Sequence, residues 1–253
     1  MSAVAFTVED GVARVTLDAP PLNILTRAVL GELCSALAEL HPRRDLRVLL
    51  LGAAGKHFSA GADVGEHLPP HHAALIPEFR YAVTTLAEFP LPTIAAVRGR
   101  CLGGGFELVQ AVDLIVAAEG ASFGQPEIVL GVIPPAACAL LPLRASASFA
   151  ARTVFTGDPV PAAAAERAGL VAQVAPDAEL DRTAGELAAR IARHSGAALR
   201  LAKKALRAGQ QAALERALRE AEGIYLEELM ATHDALEGLR AFVEKRDHTW
   251  THA

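Results

Sequence analysis

Residues 4–18, VAFTVEDGVARVTLD, alternate apolar and polar side chains on either side of Asp10-Gly11. A period of two around an Asp-Gly pair predicts a β-hairpin. PPLNILT (residues 20–26) reads as a loop, and Thr26 is placed to cap a helix over 27–40. Three continuous apolar runs of strand length follow: LRVLLLG from Leu46, TIAAVRG from Thr93 and DLIVAA from Asp113. Uninterrupted runs of this kind predict strands buried on both faces with helices between them, a β-α-β pattern. After about Pro161 strand signals nearly vanish, apart from GLVAQVA (169–175). PVPAAAAERAGL (159–170) reads as a helix start with proline in its first turn. Helices are then expected at about 179–194, 197–208, 210–230 and 234–246. The chain divides into an α/β part, 1–176, and a helical part, 177–253, with no internal repeat.

Composition narrows the function classes. The 253 residues are 52% apolar, enough for a sizeable core. A net charge of −5 argues against a dedicated nucleic-acid binder, so an anionic ligand must meet a local basic site. Cys34, Cys101 and Cys138 are scattered and show neither CxxC nor zinc spacing. They fit buried thiols in a reduced, cytoplasmic protein. No leader pattern opens the chain, and no apolar run is long enough to predict a membrane span.

CLGGGFELVQAVDL (101–114) raises the first chemical question, because three glycines precede a run that reads as a helix with Glu107 in its first turn. A dinucleotide fingerprint would place its last glycine at Leu108, and a P-loop lacks its Gly-Lys-Ser/Thr. What stays open is an oxyanion site, with exposed N–H groups at a helix start, or a tight turn made for packing. GKHFSAGADVGEH (55–67) is also rich in small residues. Ser59 is not in a nucleophile elbow, since His57 stands where that motif needs glycine.

Taken together, FSAGAD, VRGRCLGGGFEL, FGQPEIVLGVIP and AFVEKR resemble the enoyl-CoA hydratase/isomerase (crotonase) family, in its order and over nearly the whole chain. The resemblance implies an α/β crotonase-like ββα spiral core with a helical C-terminal region that builds trimers or dimers of trimers. It implies an oxyanion hole from the N–H groups of Ala62 and Gly104. Such donors matter where charge grows on a thioester oxygen, and losing one typically costs about 3 kcal/mol. It places Glu107 and Glu127 at the positions the family's hydratases use. Two acids can hold a water between them, one taking its proton while the other delivers a proton. Hydration of an α,β-unsaturated thioester needs both acts. The rivals are an isomerase that moves the double bond with one glutamate, and an acyl-CoA-binding relative without turnover.

The resemblance also assigns contacts with the CoA ester to Ala60, Asp63, Val64, Gly103 and Pro134, and to Phe242 and Lys245, often from a neighbouring subunit. No cofactor is implied beyond the coenzyme A of the substrate, and no metal. His67, His71 and His72 could suggest a metal cluster, but a pocket-lining loop is the stronger expectation. Cys101 and Cys138 are expected as small buried apolar groups. The sequence departs from the family at PAACALLP (135–142), where a glycine-rich run is usual, and at Gly65-Glu66-His67. The first departure, read as a stiff loop bordering the acyl pocket, and PPLNILT resemble the branch that hydrates cyclic dienoyl-CoA thioesters.

Overall fold

The computed structural model describes residues 2–253. Asp10 and Gly11 both take positive φ, 49° and 78°. They close the predicted hairpin between β1 (Val4–Glu9) and β2 (Val12–Leu17), with Val4 opposite Leu17 and Glu9 opposite Val12. β2 then pairs in parallel with β3 (Val48–Ala53), followed across the sheet by β4 (Thr93–Val97), β6 (Leu114–Ala118) and β9 (Gln173–Ala175). A second sheet joins β5 (Arg100–Leu102), β7 (Ser122–Gly124) and β8 (Val160–Pro161). Every residue of β4 is buried, as an uninterrupted apolar strand requires.

The helices α1 (Arg27–Leu40), α2 (His72–Ala87) and α3 (Gly104–Ala111) alternate with these strands. Thr26 Oγ1 accepts the Val29 N–H at 3.3 Å, so α1 starts where its cap predicts. Two short helices follow, α4 (Pro135–Arg144) and α5 (Ala147–Thr156). The expected loop at 135–142 is therefore a helix: Pro135 occupies its first position, where the missing N–H costs nothing. Residues 159–170 split between β8 and α6 (Ala162–Arg167), with Pro161 at the cap rather than inside the first turn.

The C-terminal part holds α7 (Leu180–Ala192), α8 (Gly196–Arg207), α9 (Gln211–Gly223) and α10 (His233–Glu244). The single helix expected over 210–230 ends at Gly223 and continues as a π-helical turn, Ile224–Glu228, and a 3-10 turn, Leu229–Ala231. The change of winding lets both Tyr225 and Met230 face inward. α7 lies on β3, β4 and β6. α8 is tied to the sheet by Asp113, which pairs with Lys203 (2.8 Å) and Arg207 (2.7 Å). Burial works against the Asp113 charge, yet these cations hold its carboxyl below the usual range. The main core fills the space around the large sheet; a smaller cluster, with Ile76, Val132, Tyr225, Met230 and Leu239, forms between α2, α10 and the π turn.

Candidate active site

The three glycines have three separate reasons. Gly103 takes φ 51° and ψ −129°, a backbone that side chains disfavour, and a Cβ there would stand 2.7 Å from Glu127 Oε1. A Cβ on Gly104 would meet the Phe79 ring at 2.9 Å and the Ala62 nitrogen at 3.2 Å. A Cβ on Gly105 would overlap the Ser59 side chain at 2.5 Å. Gly103 and Gly104 thus keep the site open, whereas Gly105 lets α3 pack.

Ala62 is brought beside Gly104 by two short parallel bridges, Leu25 with Ala62 and Ser59 with Cys101. Ser59 is fully buried and its Oγ is committed, donating to the Asn23 carbonyl (2.7 Å) and accepting the Gly61 N–H (3.1 Å). It holds the loop and leaves no hydroxyl for nucleophilic chemistry. The Ala62 and Gly104 amides make no hydrogen bond among the described residues. Two free main-chain donors on one cavity wall, one of them at a helix N-terminus, can stabilise a carbonyl oxygen that gains charge.

The two acids line the same cavity. Glu107, in the first turn of α3, is buried, and its Oε1 accepts the Ala137 N–H from the start of α4 at 2.9 Å. Burial pushes its carboxyl up to about 7, against the pull of the Ala137 and Ala136 amides. Glu127 sits in a 3-10 turn, Pro126–Leu130. Burial and the neighbouring Glu107 charge push its carboxyl well above the usual range. The Gln125 amide, turned to suit its neighbours, donates to both Glu127 oxygens (3.3 and 3.1 Å) and accepts from Gln110 Nε2 (3.0 Å). Two such carboxyls resist a double negative charge and retain a proton between them near neutral pH.

These groups share a cavity of about 80 Å³. Of the residues predicted for substrate contact, Ala60, Val64, Gly103 and Pro134 line it, together with Ala62, Gly104, Glu107 and Glu127. Asp63 does not; its carboxylate accepts the Glu66 N–H (3.0 Å) and shapes the loop. Phe242, about half exposed, and Lys245, at the α10 C-terminus, also lie outside the cavity, further along the helix that contributes Leu239 to its wall. Cys101 is buried; Cys138 is partly buried beside the acids, and its thiol is pushed up to about 11 by burial and by Glu107 and Glu127. Sequence reasoning missed Gln125, Gln110 and the Ala137 N–H. Gln125 stands inside the FGQPEI motif, but nothing local marks it as a partner of Glu127.

His67 lines the cavity, and its Nδ1 lies 2.7 Å from the Tyr225 hydroxyl. No cluster of three or more potential metal ligands occurs among the described residues. A larger cavity of about 320 Å³ lies between α2, α4, α8 and α9. It borders the Lys203–Arg207 anchor and contains neither acid of the pair.

The family model of enoyl-CoA hydratase/isomerase matches residues 7–253. The chain belongs to the enoyl-CoA hydratase/isomerase family. A cyclohexa-1,5-dienecarbonyl-CoA hydratase from Thauera aromatica is 41% identical over 94% of this chain and 92% of its own. A 2,3-dehydroadipyl-CoA hydratase from Escherichia coli (strain K12) is 36% identical over 97% of both. The crystal structure of an enoyl-CoA hydratase from Mycobacterium avium subsp. paratuberculosis K-10 superimposes with a TM-score of 0.88 at 29% identity, covering 98% of each chain. The fold is the α/β architecture of these family members, with its helical C-terminal region. No helix among the described residues is long and apolar enough to cross a membrane.

Proposed function

We propose that this protein adds water reversibly across the α,β double bond of an enoyl-CoA thioester. The observation that carries the reading is the meeting of two free main-chain N–H groups, from Ala62 and Gly104, with two buried glutamates on one cavity. The amides receive the thioester oxygen and stabilise the enolate as the β-carbon is attacked. The Ala137 amide donates to Glu107 and favours its charged form. Glu107 takes a proton from the water whose oxygen bonds to the β-carbon. Glu127, raised by burial and by the neighbouring Glu107 charge, carries the proton that goes to the α-carbon. Donation from Gln125 fixes its position. An isomerase needs a single proton carrier, so the pair favours hydration.

A cyclic dienoyl thioester is the first substrate to test, supported by the 41% identity to the Thauera aromatica hydratase. Coenzyme A would enter as part of the substrate, with Phe242 and Lys245 near its nucleotide end and no other cofactor. Assembly as a trimer or dimer of trimers is supported by large apolar side chains left exposed on α5 and α8, Phe155, Leu201 and Leu206. A cytoplasmic location accords with three free cysteines. The decisive experiment incubates the protein with acyl-CoAs, including crotonyl-CoA and cyclohexa-1,5-dienecarbonyl-CoA, and follows each by mass spectrometry. A gain of one water is expected. An unchanged mass with a shifted double bond would replace hydration by isomerisation.

A further inference from the structure

Besides the two glutamates, His67 is the one polar side chain among the described residues that line the catalytic cavity. The wall around it is aliphatic: Val64, Leu75, Ile76, Val132 and Leu239. A substrate that displaces the cavity's water loses free energy there unless its own atoms meet His67.

Hydrogen-bond accounting fixes which atom His67 offers. The Tyr225 ring is fully buried in the π turn, and its hydroxyl has His67 Nδ1 as its partner, at 2.7 Å, among the described residues. A buried O–H needs an acceptor, and Nδ1 is the acceptor at hand. Tyr225 therefore donates to Nδ1, and the imidazole proton sits on Nε2. The ring is neutral: burial pulls its pKa down to about 4, against the raising influence of Asp63 and with the help of His72. Nε2–H makes no hydrogen bond among the described residues.

We propose that His67, set in its tautomer by Tyr225, is a specificity residue that donates from Nε2 to an acceptor oxygen carried by the acyl group beyond its β-carbon. The inference rests on the hydratase reading of this site and ranks its substrates, placing acyl chains or rings that bear a hydroxyl or carbonyl oxygen above unsubstituted ones such as crotonyl-CoA and cyclohexa-1,5-dienecarbonyl-CoA. Were the attacking water its partner instead, loss of the donor would slow hydration of every ester alike, which the test below reads. A carboxylate is a poor partner, because a neutral imidazole supplies no charge to meet it.

The test compares kcat/KM for a δ-hydroxylated hexenoyl-CoA and for unsubstituted hexenoyl-CoA, with hydration read by mass spectrometry. Wild type should prefer the hydroxylated ester by about ten-fold or more, since a site left with an unpaired donor rejects the analogue that lacks the oxygen. His67→Met should bring the ratio close to one. His67→Gln, which retains an N–H donor, should keep most of the preference. Tyr225→Phe removes the group that fixes the tautomer and should give an intermediate ratio. Efficient hydration of both esters by wild type, at similar kcat/KM, would overturn the inference and leave the hydratase reading standing. So would equal losses on both esters in His67→Met. Absence of water addition to every ester, crotonyl-CoA included, would overturn the hydratase reading and this one with it. The wild-type ratio decides the question even if a variant fails to fold.

Discussion

Gly103→Ala separates backbone strain from loss of chemistry. At φ 51° and ψ −129° the alanine backbone is strained by about 1–3 kcal/mol. For a chain of this size each kcal/mol lowers Tm by about 2–4 °C, so melting should fall by about 2–12 °C. The new Cβ would also stand 2.7 Å from Glu127 Oε1, and ordinary contact begins at 3.4 Å. The carboxyl must retreat by about 0.7 Å, and because a misplacement of about 1 Å costs roughly 100-fold, kcat should fall about 10- to 100-fold. Gly169→Ala is the control. Gly169 also has positive φ, +80°, but a Cβ there meets nothing within 4 Å, and it lies outside the catalytic cavity. It should lose about 1–2 kcal/mol of stability and keep its kcat. The assay follows loss of the conjugated thioester's absorbance beside a calorimetric melt. If Gly103→Ala kept kcat within two-fold while melting like Gly169→Ala, the placement of Glu127 as a reacting group would be refuted.

Glu107→Gln and Glu127→Gln should each lower kcat by about 10²–10⁴, with little further loss in the double variant, measured by steady-state hydration. The same pair sets a pH signature in stability. Both carboxyls are raised above the ordinary 4.5 in the folded protein, so their contribution is complete below about 4.5 and is lost as pH rises, for Glu107 through about 7. The melting temperature of the double Gln variant should therefore gain on wild type as pH is raised over that window, and a constant difference would contradict the raised values. Lys203→Met leaves a largely buried Asp113 with Arg207 as its remaining cation and should cost about 3 kcal/mol in urea unfolding, with the hydration rate of the folded fraction retained.

The elements legible in the sequence are those specified locally. Asp10-Gly11 closes its hairpin and Thr26 caps its helix because the deciding hydrogen bonds lie within a few residues. α4 was hidden because Pro134, Pro135 and Pro142 read as loop, although a proline at the first helical position fits the helix. That misreading matters for function. The segment expected to border the acyl pocket also hands the Ala137 N–H to Glu107, so its replacement would touch chemistry as well as specificity. Neither glutamate could be paired from spacing, since Glu107 rides on a helix and Glu127 on a 3-10 turn twenty residues later. Only the family's motifs joined them. Tyr225 carried no signal at all, because its approach to His67 depends on a turn wound differently from the helix that precedes it.

The free amides of Ala62 and Gly104 belong to the main chain, whereas the acids are side chains. The genetic code therefore treats the two halves of the site unequally. No codon change can delete an amide at either position, short of proline or a shift of the backbone. A single base change can replace either glutamate. The grip on a thioester is thus a property of the scaffold, exposed to substitution at Gly104, where a Cβ would crowd Phe79 and the Ala62 nitrogen, while the reaction carried out on the gripped ester is rewritable at either glutamate. A lineage built on this chain can explore new proton-transfer chemistry without first having to reinvent how to polarise its substrate.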